Sequence, residues 1–173
     1  MRSVLIFLSA SLLSGLPCSV GLAERPHILF IMADDMGWKD LHCQGNDVLR
    51  TPNIDALAQS GVRFDNAYAA STVCSPTRAA LMTGLAPARL HITQHGADSK
   101  SFWPEDRLIQ PPATKHELPH ETTTMAERLK AAGYTTGFFG KWHLGSDKKY
   151  WPTEHGFDVN VGGCGLGGPP TYF

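Results

Sequence analysis

The chain has 173 residues, 42% of them hydrophobic, and 15 lysines and arginines against 16 aspartates and glutamates, for a formal net charge of −1. That is enough apolar chain for a core of about one domain. With its positive charges scattered and balanced, the sequence has no basic stripe for a nucleic acid, so no nucleic-acid partner is expected.

In chain order, Met1-Arg2 is followed by the apolar Val4-Leu5-Ile6-Phe7-Leu8 and Leu12-Leu13, then small residues around Gly21-Leu22-Ala23 and the charged Glu24-Arg25. This resembles a secretory signal peptide over residues 1–23, cleaved after Ala23. Pro17 spoils the lipid-attachment pattern that Cys18 would otherwise suggest. Ser11, Ser14 and Pro17 interrupt an apolar centre already short for a retained membrane anchor. A secreted or periplasmic chain is expected, with no stable membrane anchor. After export Cys43 and Cys164 are able to pair, although spacing alone does not establish a disulfide.

His27-Ile28-Leu29-Phe30-Ile31-Met32 is a nearly continuous apolar run, the pattern of a strand buried on both faces of a parallel sheet. It leads into Ala33-Asp34-Asp35-Met36-Gly37, which puts two carboxylates at the carboxyl end of that strand, where open α/β sheets hold their ligands. Neighbouring side chains of a regular strand diverge, so Asp34 and Asp35 meet at one ion only if the chain turns, for which Gly37 is suited. Two adjacent carboxylates repel without a cation, and oxygen donors suit Ca²⁺ or Mg²⁺. As an isolated pair, Asp-Asp is more often a solvated turn or a helix cap.

Residues 50–61 read as a helix, with Thr51 and Pro52 at its start, Ile54, Leu57 and Ala58 on one face and Gly61 at its end. Val62 to Tyr68 alternates apolar and polar residues, as a half-buried strand or extended segment does. Cys74-Ser75-Pro76-Thr77-Arg78 then combines a nucleophile, a fixed turn and a cation. Pro76 biases Ser75 toward extended geometry, so a helix is expected from Thr77 or Arg78, with Cys74 just ahead of its first turn. An anion is favoured at such a helix start, and Arg78 offers a planar donor fork to a tetrahedral oxyanion. The plain alternative is a buried cysteine, a solvated arginine and an ordinary helix stop at Thr83-Gly84.

Residues 99–121, with Pro104, Pro111, Pro112 and Pro119, read as a long surface loop, either solvated filler or substrate-facing. Thr122 to Gly133 reads as a helix capped by threonine and closed by Gly133, and Tyr134 to Phe139 as a strand. That strand ends in Gly140-Lys141-Trp142-His143-Leu144-Gly145. Of the other histidines, His42, His91, His95, His116, His120 and His155 have no motif around them, although His95 and His155 are suited to lining a pocket. The glycine-rich run 162–170 lacks the spacing of a phosphate loop and reads as a flexible loop.

Two of these segments carry a family resemblance. Cys74-x-Pro76-Thr77-Arg78, followed by Leu81-x-Thr83-Gly84, resembles the signature of the sulfatases, and Gly133-Tyr134-x-Thr136 with Gly140-Lys141-Trp142-His143 resembles their second signature. Phe139 departs mildly, where a smaller or aliphatic residue is usual. The resemblance implies an α/β fold of the alkaline phosphatase type, with a mixed, largely parallel central sheet flanked by helices. It covers nearly all of residues 24–173, but only the N-terminal part of the family's catalytic domain. It implies that Cys74 is converted by a formylglycine-generating maturation enzyme to Cα-formylglycine, an aldehyde. It further implies that Arg78 and Lys141 contact the sulfate and the nucleophile, that His143 handles the second hydroxyl of the hydrated aldehyde, and that Asp34, Asp35 and the residue derived from Cys74 bind a divalent metal, Ca²⁺ rather than Mg²⁺.

An aldehyde is useful because its hydrate has two hydroxyls, one to attack sulfur and one whose deprotonation expels the sulfate. The implied activity is hydrolysis of sulfate monoesters of aryl groups or carbohydrates. The family's Asp-Asn metal pair and its further histidine and lysine have no counterpart before Phe173, so impaired activity is expected of this polypeptide alone. Two alternatives stay open at this stage: hydrolysis of phosphate or phosphonate esters by the same superfamily's chemistry, and a non-catalytic fragment that binds sulfate esters.

Overall fold

The structure, a computed structural model, describes residues 25–95, 108–109, 113–169 and 171. The expected signal peptide, and residues 99–107 and 110–112 of the proline-rich loop 99–121, lie outside the described residues. The chain divides into an N-terminal unit ending at Ala33 and a second unit, Asp34–Phe173. Among the described residues no helix is long and apolar enough to cross a membrane.

In the first unit, the strand expected over residues 27–32 is not formed, and Leu29 and Ile31 are 86% and 80% exposed. The expected burial on both faces is absent as well, because a strand forms only with a ladder partner and this run has none among the described residues. Among the described residues the two strands present pair with each other.

The second unit contains helices α1 (Pro52–Ser60), α2 (Cys74–Thr83), α3 (Pro87–Leu90) and α4 (Met125–Ala131), and strands β1 (Gly137–Phe139) and β2 (Val159–Val161). β1 and β2 are parallel, with Phe138 opposite Asn160. Parallel strands need a long crossover, and here it runs through Lys141 to Asp158 with two 3-10 turns, Lys148–Tyr150 and Pro152–His155. The class is therefore α/β with a parallel sheet, as expected.

Local chemistry sets the helix ends. α4 begins with a capping box: Thr124 Oγ1 accepts from the Glu127 amide while the Glu127 carboxylate accepts from the Thr124 amide at 2.6 Å. It ends in a Schellman arrangement, the Tyr134 amide donating to the Leu129 carbonyl and the Gly133 amide to that of Lys130, with Gly133 at φ 86°. α2 starts at Cys74, earlier than expected. Pro76 falls in the first turn, where amide hydrogens have no intrahelical partner, so it does not delay the helix. Burial of both Ser75 and Pro76 outweighs the bias against helix before a proline.

The core joins Ala79 and Met82 of α2 to Leu90, Ile92, Leu118, Ala126 of α4, Trp142, Leu144 and Phe157, with Phe138 of β1 packed against it. Trp142 lies at its centre, 1% exposed, its ring edge-on to Phe138 and its indole N–H donating to the Tyr150 carbonyl at 2.8 Å. Burying a side chain of this size contributes about 3 kcal/mol, and the satisfied N–H avoids the offsetting cost of an orphaned donor. Because Trp142 is anchored, its neighbours Lys141 and His143 are fixed as well. α1 lacks such packing: Ile54 and Leu57 on its apolar face are exposed, and residues 62–68, expected to be half-buried, are exposed throughout and form no strand, with a turn at Asp65 and Asn66.

Candidate active site

The Asp34-Asp35 pair sits in a bend, and Asp35 itself takes the left-handed conformation, φ 55°. The turn that lets adjacent carboxylates converge is thus made at Asp35, ahead of Gly37, where sequence reasoning sought it. A short side chain that hydrogen-bonds locally tolerates this region better than most. One carboxylate oxygen from each aspartate and the Cys74 sulfur lie within 4.8 Å of one another.

Two cations reach Asp34. Lys141 Nζ lies 2.6 Å and Arg78 Nη2 3.1 Å from Asp34 Oδ2. Burial would raise the Asp34 carboxyl, but the hydrogen bonds and charges of Lys141 and Arg78 outweigh it and hold the group below the usual carboxylate range. Burial likewise works against the Lys141 ammonium, and its bonds to Asp34 and Cys74 more than compensate, leaving its pKa raised. Both partners therefore stay charged at neutral pH. The Lys141 ammonium also donates to Cys74 Sγ at 3.3 Å, so α2 and the loop after β1 meet at the sulfur.

Arg78 is only 8% exposed and largely committed: Nη1 donates to the Lys141 carbonyl, Nη2 to Asp34. Its Nε is buried without a hydrogen-bond partner among the described residues, and so is His143 Nδ1. Orphaned polar atoms are costly, and a polar ligand or water at these two would complete their bonding, as it would at Gln44, His116 and His155 elsewhere. Burial, reinforced by the positive charges of Lys141, His95 and Arg78, pushes His143 down to about 4, against the smaller pull of Asp34. The imidazole is neutral at pH 7 and available to accept a proton.

The six residues singled out from the sequence, Asp34, Asp35, Cys74, Arg78, Lys141 and His143, converge here. His95 joins them, its ring edge-on to that of His143 at 6.3 Å between centroids. His155 does not: it is buried between His120 and Trp142 on the core side. Cys43 and Cys164 are free thiols, so the disulfide that spacing allowed is not formed.

Two features escaped sequence reasoning. Ser75 Oγ donates to the His143 carbonyl at 2.8 Å, and nothing local in the sequence signals that partner. The run after β2 is closely fitted against this loop, contrary to the flexible loop expected: the His143 amide donates to the Cys164 carbonyl at 3.0 Å, and a side chain at Gly167 would come within 2.9 Å of His143 Cε1. The alternation of Gly163, Gly165 and Gly167 was the available signal for such close approach.

The donor set fits a hard divalent cation in part. Two carboxylates suit Ca²⁺ or Mg²⁺, whereas a thiol is too soft for either; a hydroxyl oxygen at the Cys74 position would complete an all-oxygen group. Ca²⁺ takes about six to eight oxygens, so these residues supply only part of its sphere.

The profile of the family described as Sulfatase matches residues 26–166. The chain is 41% identical to human (Homo sapiens) arylsulfatase D across 96% of its own length and 29% of that protein's. It is also 41% identical to N-acetylgalactosamine-6-sulfatase of Sus scrofa, over 80% of this chain and 25% of that one. Among solved structures, Ps i-CgsB in complex with k-i-k-neocarrahexaose superposes with a TM-score of 0.59 at 34% identity, covering 75% of this chain and 27% of the other. The chain thus spans between a quarter and a third of the length of these relatives.

Proposed function

Because the chain belongs to the sulfatase family, whose members generally use formylglycine and a divalent metal, we propose that it carries the nucleophile-bearing part of a sulfate monoester hydrolase. Cys74 is the precursor of the formylglycine nucleophile, which requires a formylglycine-generating enzyme as maturation partner. Residues 24–173 are the N-terminal part of the catalytic domain, exported after removal of the signal peptide 1–23.

What supports this reading most is that Cys74 lies within hydrogen-bonding reach of Lys141 and shares one small volume with both aspartates. In the hydrated aldehyde, one hydroxyl oxygen gives up its proton and attacks sulfur, the sulfur–oxygen bond to the alcohol breaks as the departing oxygen takes up a proton, and the sulfuryl group is left on the residue at position 74. Arg78, through its unpartnered Nε, and Lys141, through its ammonium, offset the charge that develops on the sulfate oxygens. His143, neutral at working pH, takes the proton from the second hydroxyl; the carbonyl re-forms, the bond to sulfate breaks, and sulfate leaves. Water then rehydrates the aldehyde. Asp34 and Asp35 would hold the cation, Ca²⁺ in preference to Mg²⁺, and when bound it would supply the positive charge that makes the attacking hydroxyl more acidic.

The carbohydrate in the complex of the related Ps i-CgsB favours a sulfated carbohydrate as substrate. Comparing aryl sulfate with aryl phosphate turnover by the protein co-produced with the maturation enzyme tests the reading. Faster sulfate release is expected; faster phosphate release assigns the site to phosphate esters instead, and binding of sulfate esters without turnover reduces it to a binding site.

A further inference from the structure

We propose that Ser75 is a positioning residue for His143, holding the proton acceptor in register with the nucleophile next to it in the chain; the inference rests on the hydrolase reading above. Ser75 is 1% exposed, and its hydroxyl donates to the His143 carbonyl at 2.8 Å. It does not cap α2, whose N-cap makes no side-chain hydrogen bond.

What it holds is a strained backbone. His143 has φ 62°, the left-handed region, which disfavours a residue with a Cβ. Such a conformation persists only where its surroundings fix it from several sides. Here the amide side is fixed by the bond to the Cys164 carbonyl, the ring by the close backbone of Gly167, and the carbonyl side by Ser75.

The same helix holds the loop a second time. Arg78 Nη1 donates to the Lys141 carbonyl, so two residues of the first turns of α2 grip alternate carbonyls of the Lys141-Trp142-His143 turn, while Trp142 between them is buried in the core. Since Ser75 follows Cys74 directly, a shift of the nucleophile along the helix is transmitted to His143, and the distance between them stays constant. A hydroxyl that only satisfied a buried carbonyl would stabilise the fold without this dependence on His143.

The test uses the full chain with Ser75→Ala and Ser75→Thr, each made also in a His143→Ala background. For aryl sulfate, Ser75→Ala is expected to lower kcat about ten- to a hundredfold while KM stays within about twofold. It should have no further effect on kcat once His143 is alanine, and Ser75→Thr, which keeps the hydroxyl, should recover most of the loss. An equal fall in both backgrounds, or no fall, overturns the proposal.

A second readout needs no turnover. The His143 ring, faced by Lys141, His95, Arg78 and Asp34, is followed by NMR titration in the folded, unmodified chain. In the wild type it should titrate near 4, and in Ser75→Ala closer to the ordinary 6.5, as the released imidazole gains solvent. An unchanged titration in a variant that circular dichroism shows to be folded overturns the proposal. Where the wild type turns over no sulfate ester, the titration alone decides the role of Ser75, so the hydrolase reading and this proposal fail separately.

Discussion

The Lys141 ammonium lies 2.6 Å from Asp34 Oδ2, so the loop after β1 is tied by an ion pair to the acidic turn that opens the second unit. Asp34 thus neutralises Lys141 and Arg78, and in the proposed metal site it would also offer an oxygen to a cation. Replacing Asp34 with Asn removes the charge for both. Calcium affinity, followed by calorimetric titration, is expected to fall at least about tenfold. Undiminished affinity would remove Asp34 from the proposed metal site.

Lys141 is expected to matter more to turnover than to folding. Its side chain is 20% exposed and that of Asp34 34%, so solvent still screens the pair and its net contribution to stability is modest. Lys141→Gln should lower kcat for an aryl sulfate about a hundredfold or more, the scale of losing one charge-stabilising donor, while the melting temperature changes little. A kcat close to that of the wild type contradicts the assigned role.

Gly156 carries a prediction about the fold. Its φ is +92°, and an added Cβ would stand 2.5 Å from the Glu127 amide nitrogen, inside the capping box of α4. Thr124 Oγ1 also donates to the His155 carbonyl at 2.8 Å, so the box and the turn at Gly156 are one assembly. Gly156→Ala should cost about 2 kcal/mol or more, read as a lowered urea midpoint, because neither backbone can yield without losing the cap. An unchanged midpoint means that the turn relaxes freely.

Two groups contribute large shares of the acid side of the stability profile, alongside the smaller depressions of Asp34 and His155. Asp158 is held down to about 2 by its bonds to Lys130 and to the amide and hydroxyl of Thr136. A depressed carboxylate contributes stability that is complete above its unfolded value of 3.8 and lost as pH falls toward 2. His143, also depressed, contributes stability that is complete above 6.5 and lost as pH falls toward about 4. Stability measured by denaturation should therefore decline first between pH 6.5 and 4 and again below 3.8. His143→Gln should flatten the first decline and Asp158→Asn the second.

What was legible in the sequence was chemistry carried by short-range signals. The capping threonine before Glu127, the glycine closing α4, and the two clusters around Cys74 and Lys141 are each defined within a few residues, and each is where its pattern suggested. Non-local structure was not legible. The apolar pattern of residues 27–32 specifies a preference for burial, but a ladder partner is not written in the same segment. β2 is only three residues, too short for its alternation to stand out. The roles of Ser75 and Gly167 depend on His143, a residue distant from each in sequence, so no local pattern could reveal them.

The claim on which the rest depends is that Cys74 is an aldehyde precursor. It is tested most directly by tandem mass spectrometry of the peptide containing Cys74, from protein co-produced with a formylglycine-generating enzyme. The account predicts that this peptide carries the aldehyde or its hydrate, and that Cys43 and Cys164 in the same sample keep their sulfur. A Cys74 recovered wholly as thiol, from cells in which the enzyme converts another sulfatase, would contradict it.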